Sequence, residues 1–280
     1  MQTLSAKDLT LGYGDDIIID DLNITIPKGE ITVFIGSNGC GKSTLLRSLA
    51  RLLKPKGGGV VLDGENIAKM GTKEVAKKLS ILPQSPGMPD GLSVMELVKQ
   101  GRHPYRRLLK QWSKEDENAV QNALEATNML EFKDRPVDSL SGGQRQRAWI
   151  AMTLAQETDT ILLDEPTTYL DMTHQIDVLD LLFGLNEKDG RTVVMVLHDL
   201  NLACRYAHHI VAIKDKDVFA QGKPEEIVTC NLVHEVFQMK CDVTFDPMFG
   251  TPMCIPHGRG RCILADKSGI QQPAATESCE

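Results

Sequence analysis

Residues Gly36-Ser37-Asn38-Gly39-Cys40-Gly41-Lys42-Ser43-Thr44 constrain this chain more than any other segment. The run Ile31-Thr32-Val33-Phe34-Ile35 before them is β-branched and apolar, and Thr44 to Ala50 after them has helical spacing. Strand, glycine-rich loop and helix in that order satisfy Gly-x-x-x-x-Gly-Lys-[Ser/Thr], in which inward-turned N–H groups and the helix dipole form a nest for an anion. Polyphosphate is the natural ligand. Lys42 supplies a point charge for β- and γ-phosphates, and the Ser43 hydroxyl an oxygen ligand for Mg2+.

Further strand-type runs at 59–62, 79–82, 160–163, 193–196 and 210–213 alternate with helical segments, which argues for an α/β fold with a mainly parallel sheet. The first 35 residues instead alternate polar and apolar around turn signals, as antiparallel strands do. Residues 92–155 carry helical periodicity and few strand candidates, and strand-type segments resume after them, so this helical subdomain is an insertion. The expected division is 1–91 for the antiparallel part and the first half of the core, 92–155 for the insert, 156–245 for the second half, and 246–280 for a C-terminal extension whose residues 271–280 read as a frayed tail.

Hydrophobic residues make up 41% of the 280, enough to bury a core, and 31 Lys and Arg against 38 Asp and Glu leave a net charge of −7. That charge gives no global pull toward nucleic acid. No run approaches the roughly 18 apolar residues of a membrane span, and the first residues lack a signal-peptide core, so the chain is expected on the cytosolic side. The seven cysteines include no Cys-x-x-Cys pair and read as reduced thiols.

Ile161-Leu162-Leu163-Asp164-Glu165-Pro166 is an apolar strand ending in two carboxylates, where open α/β sheets bind ligands. Asp164 is the candidate Mg2+ partner and Glu165 the candidate group that polarises an attacking water. His198, after the strand 193–197, is placed to hydrogen-bond a γ-phosphate and that water. Histidines 103, 174, 208, 209, 234 and 257 have no comparable context and read as surface, docking or core residues.

Leu140-Ser141-Gly142-Gly143-Gln144-Arg145-Gln146-Arg147, between the phosphate loop and the Asp164-Glu165 strand, resembles the signature of ATP-binding-cassette ATPases. The resemblance implies a P-loop ATPase core with an N-terminal antiparallel β subdomain and an inserted helical subdomain. It implies ATP and Mg2+ as cofactors, and a head-to-tail homodimer in which Ser141, Gly142, Gly143 and Gln144 contact the γ-phosphate bound by the other subunit. In the same family pattern Tyr13 stacks on adenine and Gln84 senses Mg2+ and the attacking water at a hinge. Asp171 is the interface aspartate, although Thr168 and Tyr169 depart from the usual Ser-Ala before it.

Gly101-Arg102-His103-Pro104-Tyr105 resembles the Gly-Arg-x-Pro-[His/Tyr] segment of ferric-siderophore importer ATPases, where a permease would dock. Residues 170–179, 220–227 and 246–256 are similar to the same subgroup. This resemblance implies an ATPase peripheral to the cytoplasmic face of the inner membrane, beneath two integral-membrane permease subunits and served indirectly by a periplasmic or lipoprotein substrate-binding protein, with no nucleic-acid partner. Haem and cobalamin importers are alternatives, and a soluble ATP-dependent switch is a rival class. The basic residues Arg102, Arg106, Arg107, Arg145 and Arg147 read as docking or solvated faces, and Cys254, His257 and Cys262 match no strong zinc spacing.

Overall fold

Strands buried on both faces read as unbroken apolar runs, and the central strands of this chain are of that kind. The structure is a computed structural model describing residues 4–84, 86–87, 91–106, 112–168 and 170–258. Its first part is β1 (Leu4–Tyr13), β2 (Asp16–Ile26), β3 (Ile31–Ile35), α1 (Lys42–Leu49), β4 (Gly57–Leu62), β5 (Glu65–Asn66), α2 (Thr72–Lys78) and β6 (Leu79–Leu82). The insert holds α3 (Val94–Gln100), α4 (Lys114–Ala126) and α5 (Gly142–Leu154). The chain then returns as β7 (Thr160–Leu163), α6 (Met172–Asp189), β8 (Thr192–Val196), α7 (Leu200–Tyr206), β9 (His209–Lys214) and β10 (Asp217–Gly222). It closes with α8 (Pro224–Ile227), α9 (Cys230–Phe237), β11 (Cys241–Phe245) and β12 (Pro252–Pro256).

The main sheet has the order β10-β9-β3-β8-β7-β6, parallel except for the edge strand β10. Period-2 alternation divides its side chains between two cores. Ile31, Val33, Ile161, Leu163, Val193, Met195 and Ile210 face α3 to α7, whereas Phe34, Leu162, Val194, Val196, Val211 and Ile213 face α1 and the antiparallel sheet β2-β1-β4-β5. The run 59–62, expected among the parallel strands, belongs to that second sheet and pairs with β1. Its glycine-rich start lacks the buried bulk that a two-sided strand requires.

The segment read as a docking loop is partly a strut. Arg102 is buried; its Nε donates to Asp116 Oδ1 at 2.9 Å, and its Nη1 to Ala155 O at 2.9 Å and Glu157 Oε2 at 2.7 Å. One guanidinium thus ties α3, the first turn of α4 and the end of α5, a geometry that only a planar fork provides. Burial pushes the Asp116 carboxyl up, but the bonds from Arg102 and Ser113 outweigh it and leave the carboxyl below its usual range. Removing Arg102 strands that carboxylate, so Arg102→Ala is expected to cost roughly 3–5 kcal/mol in urea unfolding, with Arg102→Lys recovering only part. Arg145 donates to Leu140 O and Arg147 pairs with Asp177, so neither is a free basic face; Arg107 lies outside the described residues.

The expected boundary after residue 245 falls inside the hairpin of β11 and β12, where Phe245 pairs with Pro252. The turn between them is built by Asp246, whose Oδ1 accepts from Met248 N and Phe249 N, while Arg205 binds its other oxygen at 2.6 Å. Residues 271–280 lie outside the described residues.

Candidate active site

Apolar packing fixes the two C-terminal strand ends, on the same edge of the parallel sheet, that build this site. The phosphate loop leaves β3 with Gly36, Gly39 and Gly41 at φ 150, 80 and 106°, and a Cβ on Gly36 would lie 2.4 Å from Ile213 O. The second carboxylate leaves β7 with Glu165 at φ 54°, a left-handed conformation that costs a non-glycine residue about 1–3 kcal/mol. Packing on both sides of the sheet holds the turn in that conformation.

Ser43 Oγ donates to Asp164 Oδ1 at 2.7 Å. Burial, with the Glu165 charge beside it, raises the Asp164 carboxyl, against the lowering effect of the Ser43 bond. A hydroxyl and a carboxylate in contact are hard oxygen donors suited to Mg2+, and a cation there would relieve the burial that raises the carboxyl. Because the folded-state value is raised, this carboxyl favours the fold most at pH below its unfolded value and loses that contribution as pH rises through the folded one. Asp164→Asn is therefore expected to raise the thermal midpoint of the metal-free protein at neutral pH while removing Mg2+-dependent turnover.

Glu165 is the centre of the polar network. Its Oε2 accepts from Gln84 Nε2 at 2.7 Å and from Thr168 Oγ1 at 2.9 Å, and its Oε1 lies 2.8 Å from His198 Nε2. Burial pushes this carboxyl up, but the hydrogen bonds from His198, Thr168 and Gln84 outweigh it and hold the group below the usual glutamate range. It is therefore ionised at neutral pH, the state a general base requires. These residues line one cleft of about 680 Å³ with Gly36, Ser37, Asn38 and Gly39. That volume lies within the range of ordinary ligand sites.

Lys42, at the start of α1, is buried, and its Nζ donates to Gly36 O at 2.8 Å and Ser37 O at 2.9 Å, with Cys40 Sγ at 3.8 Å. Thr44 continues α1 behind it. Tyr13 is exposed at the end of β1, its hydroxyl 3.5 Å from Arg47 Nη1.

The remaining sequence-predicted residues stand apart from that cleft. Ser141 is the N-cap of α5: its Oγ accepts from Gln144 N at 3.3 Å and its N–H donates to Gln144 Oε1 at 3.1 Å, a capping box that leaves Gly142 open above it. Asp171 caps α6 through His174 N, and the His174 ring nitrogen lies 2.6 Å from the same oxygen. A Cβ on Gly143 would lie 2.1 Å from the His174 ring, so only glycine admits this contact between the two exposed helix starts. His174 has no sequence signal for this contact, and for Thr168 the available signal is a hydroxyl three residues beyond Glu165. Phe237, which also lines the cleft, gave none. Tyr169 lies outside the described residues.

Residues 19–168 match the family model described as ABC transporter. The chain is 73% identical over 266 residues, 95% of its length and 97% of the relative, to the probable siderophore transport system ATP-binding protein YusV of Bacillus subtilis. It is 52% identical over 91% of its length, and 94% of the relative, to the ferric enterobactin transport ATP-binding protein FepC of Escherichia coli. Among solved structures, a dimeric post-hydrolysis ATP-binding cassette bound to ADP and Pi aligns with TM-score 0.69 and 31% identity, covering 79% of this chain and 98% of that one.

Proposed function

The chain belongs to the ABC transporter family, and from that premise we propose that it is the ATP-hydrolysing subunit of an importer of iron chelates, ferric siderophores being the cargo. The observation that carries the catalytic part is Glu165, held by Gln84, Thr168 and His198 at the edge of the phosphate loop. The cargo rests on relatives named for siderophore and ferric enterobactin transport, alike over more than nine-tenths of this chain.

ATP would lie with its phosphates on the amides of residues 36–44 and its adenine on Tyr13. Lys42 would then exchange its carbonyl partners in the loop for β- and γ-phosphate oxygens. Ser43, Asp164 and Gln84 would hold Mg2+, which would supply charge neutralisation on the phosphates when bound. Glu165 accepts the proton of the attacking water, and His198 fixes the carboxylate and contacts the γ-phosphate. Ser141, Gly142, Gly143 and Gln144 present a second anion nest at the start of α5, with Asp171 beside it. In a head-to-tail dimer that nest covers the partner's γ-phosphate, so ATP closes two chains and hydrolysis releases them.

No helix among the described residues is long and apolar enough to cross a membrane, and an importer of the proposed kind moves its cargo through separate permease subunits. We place the dimer beneath two of them at the cytoplasmic face of the inner membrane, with a substrate-binding protein delivering cargo from the other side. Recovery of the tagged chain from detergent-solubilised membranes tests this: a polytopic permease should copurify, and recovery only with ribosomes, nucleic acid or soluble factors would overturn it.

A further inference from the structure

His174 is the third residue of α6, the position from which a side chain reaches back over a helix start. Its backbone N–H donates to Asp171 Oδ1 at 3.0 Å, and its ring Nδ1 lies 2.6 Å from the same oxygen. Those bonds hold the Asp171 carboxyl below its usual range, so it is ionised at neutral pH and can only accept. Nδ1 therefore carries the ring proton, and a charge-assisted bond fixes the ring's orientation. So held, the ring lies against Gly143. The three heavy atoms nearest to a Cβ placed on Gly143 all belong to His174, with Cδ2 at 2.1 Å and Cγ and Nε2 at 2.9 Å. Gly143 is buried although Ser141 and Gly142 just before it are exposed.

This contact crosses from the helical insert to the core. Gly143 starts α5, the last helix of the insert, whereas Asp171 and His174 start the helix that follows β7. One turn further along both helices Arg147 pairs with Asp177, so the two starts are fastened at two successive levels. The second tie is a partly exposed ion pair, which contributes little by itself. The first is a ring clamped by a carboxylate onto bare backbone. Together they set the exposed amides of the α5 start at a fixed spacing from Asp171.

We propose that His174 is a positioning residue for ATP hydrolysis, which clamps the α5 start to Asp171 so that both meet the partner chain as one surface. The role rests on the head-to-tail dimer of the reading above. His174 stands outside the cleft that holds Glu165 and acts through Gly143 and Asp171. Without the clamp the α5 amides approach the partner's γ-phosphate out of register, and a misplacement of about 1 Å can cost roughly 10²-fold in rate.

Mixed dimers test this. Lys42→Ala disables the phosphate loop of one chain and Ser141→Arg the signature of the other, which leaves one working site whose signature comes from the Lys42→Ala chain. His174→Ala added to that Lys42→Ala chain should lower the ATPase activity recovered on mixing by roughly 10–100-fold, with KM for ATP unchanged because the phosphate loop belongs to the other chain. The same substitution on the Ser141→Arg chain, whose signature is already blocked, should leave the recovered activity as it was. A general structural defect would not follow that asymmetry. His174→Gln, which keeps a donor and lacks the ring, should behave likewise and serves if His174→Ala fails to fold, which melting of each variant reports. Equal recovery in the two arrangements, or a loss that follows the Ser141→Arg chain, overturns the role of His174 alone. No recovery with the unmodified pair overturns the composite site and this role with it.

Discussion

Glu165→Gln is expected to slow ATP turnover by roughly 10²–10⁴-fold while leaving ATP affinity within a few-fold. The amide is isosteric with the carboxylate and can still meet Gln84, Thr168 and His198, but it cannot take a proton from water. The present hydrogen bonds hold the carboxyl below its usual range, so the wild-type residue is ionised and able to do so at neutral pH. A chain that binds ATP and does not cleave it should accumulate as a closed dimer, which size-exclusion chromatography with saturating Mg-ATP measures. A variant that remains monomeric while binding ATP would refute closure by shared phosphates.

Ser141→Arg should abolish turnover by a comparable factor without weakening nucleotide binding to the same chain. The N-cap loss costs only about 1 kcal/mol, whereas a long cation replaces a hydroxyl at the surface that must approach the partner's γ-phosphate. Lys42→Ala should fail for the opposite reason, by losing a phosphate contact within its own chain. Mixing the two inactive proteins then gives a decisive pattern. In a head-to-tail pair one composite site has an intact phosphate loop from the Ser141→Arg chain and an intact signature from the Lys42→Ala chain, so activity should reappear. No recovery on mixing would refute the composite site.

The parts of this molecule legible in the sequence are those whose backbone geometry demands particular residues. Gly36, Gly39 and Gly41 mark the phosphate loop because their φ values lie in the left-handed region or at its edge, and Ser141 with Gln144 marks a helix start through reciprocal capping. Strands 160–163 and 193–196 were legible because burial on both faces leaves them apolar at every position but Thr160. Contacts between distant segments were not. Arg102 reads as a surface cation until Asp116, Ala155 and Glu157 surround it, and His174 has no local cue that Gly143 lies under its ring. The C-terminal hairpin was hidden because its Pro, Gly and Cys content imitates a loop, while its turn depends on Asp246 meeting Arg205 from α7.

The claim that hydrolysis at Glu165 drives iron-chelate import is tested most directly by uptake of labelled ferric siderophore in cells whose only ATPase for that import is this chain. Deletion should abolish uptake, the wild-type chain should restore it, and Glu165→Gln expressed at the same level should leave it absent. Uptake that survives deletion, or that Glu165→Gln restores, would contradict the account.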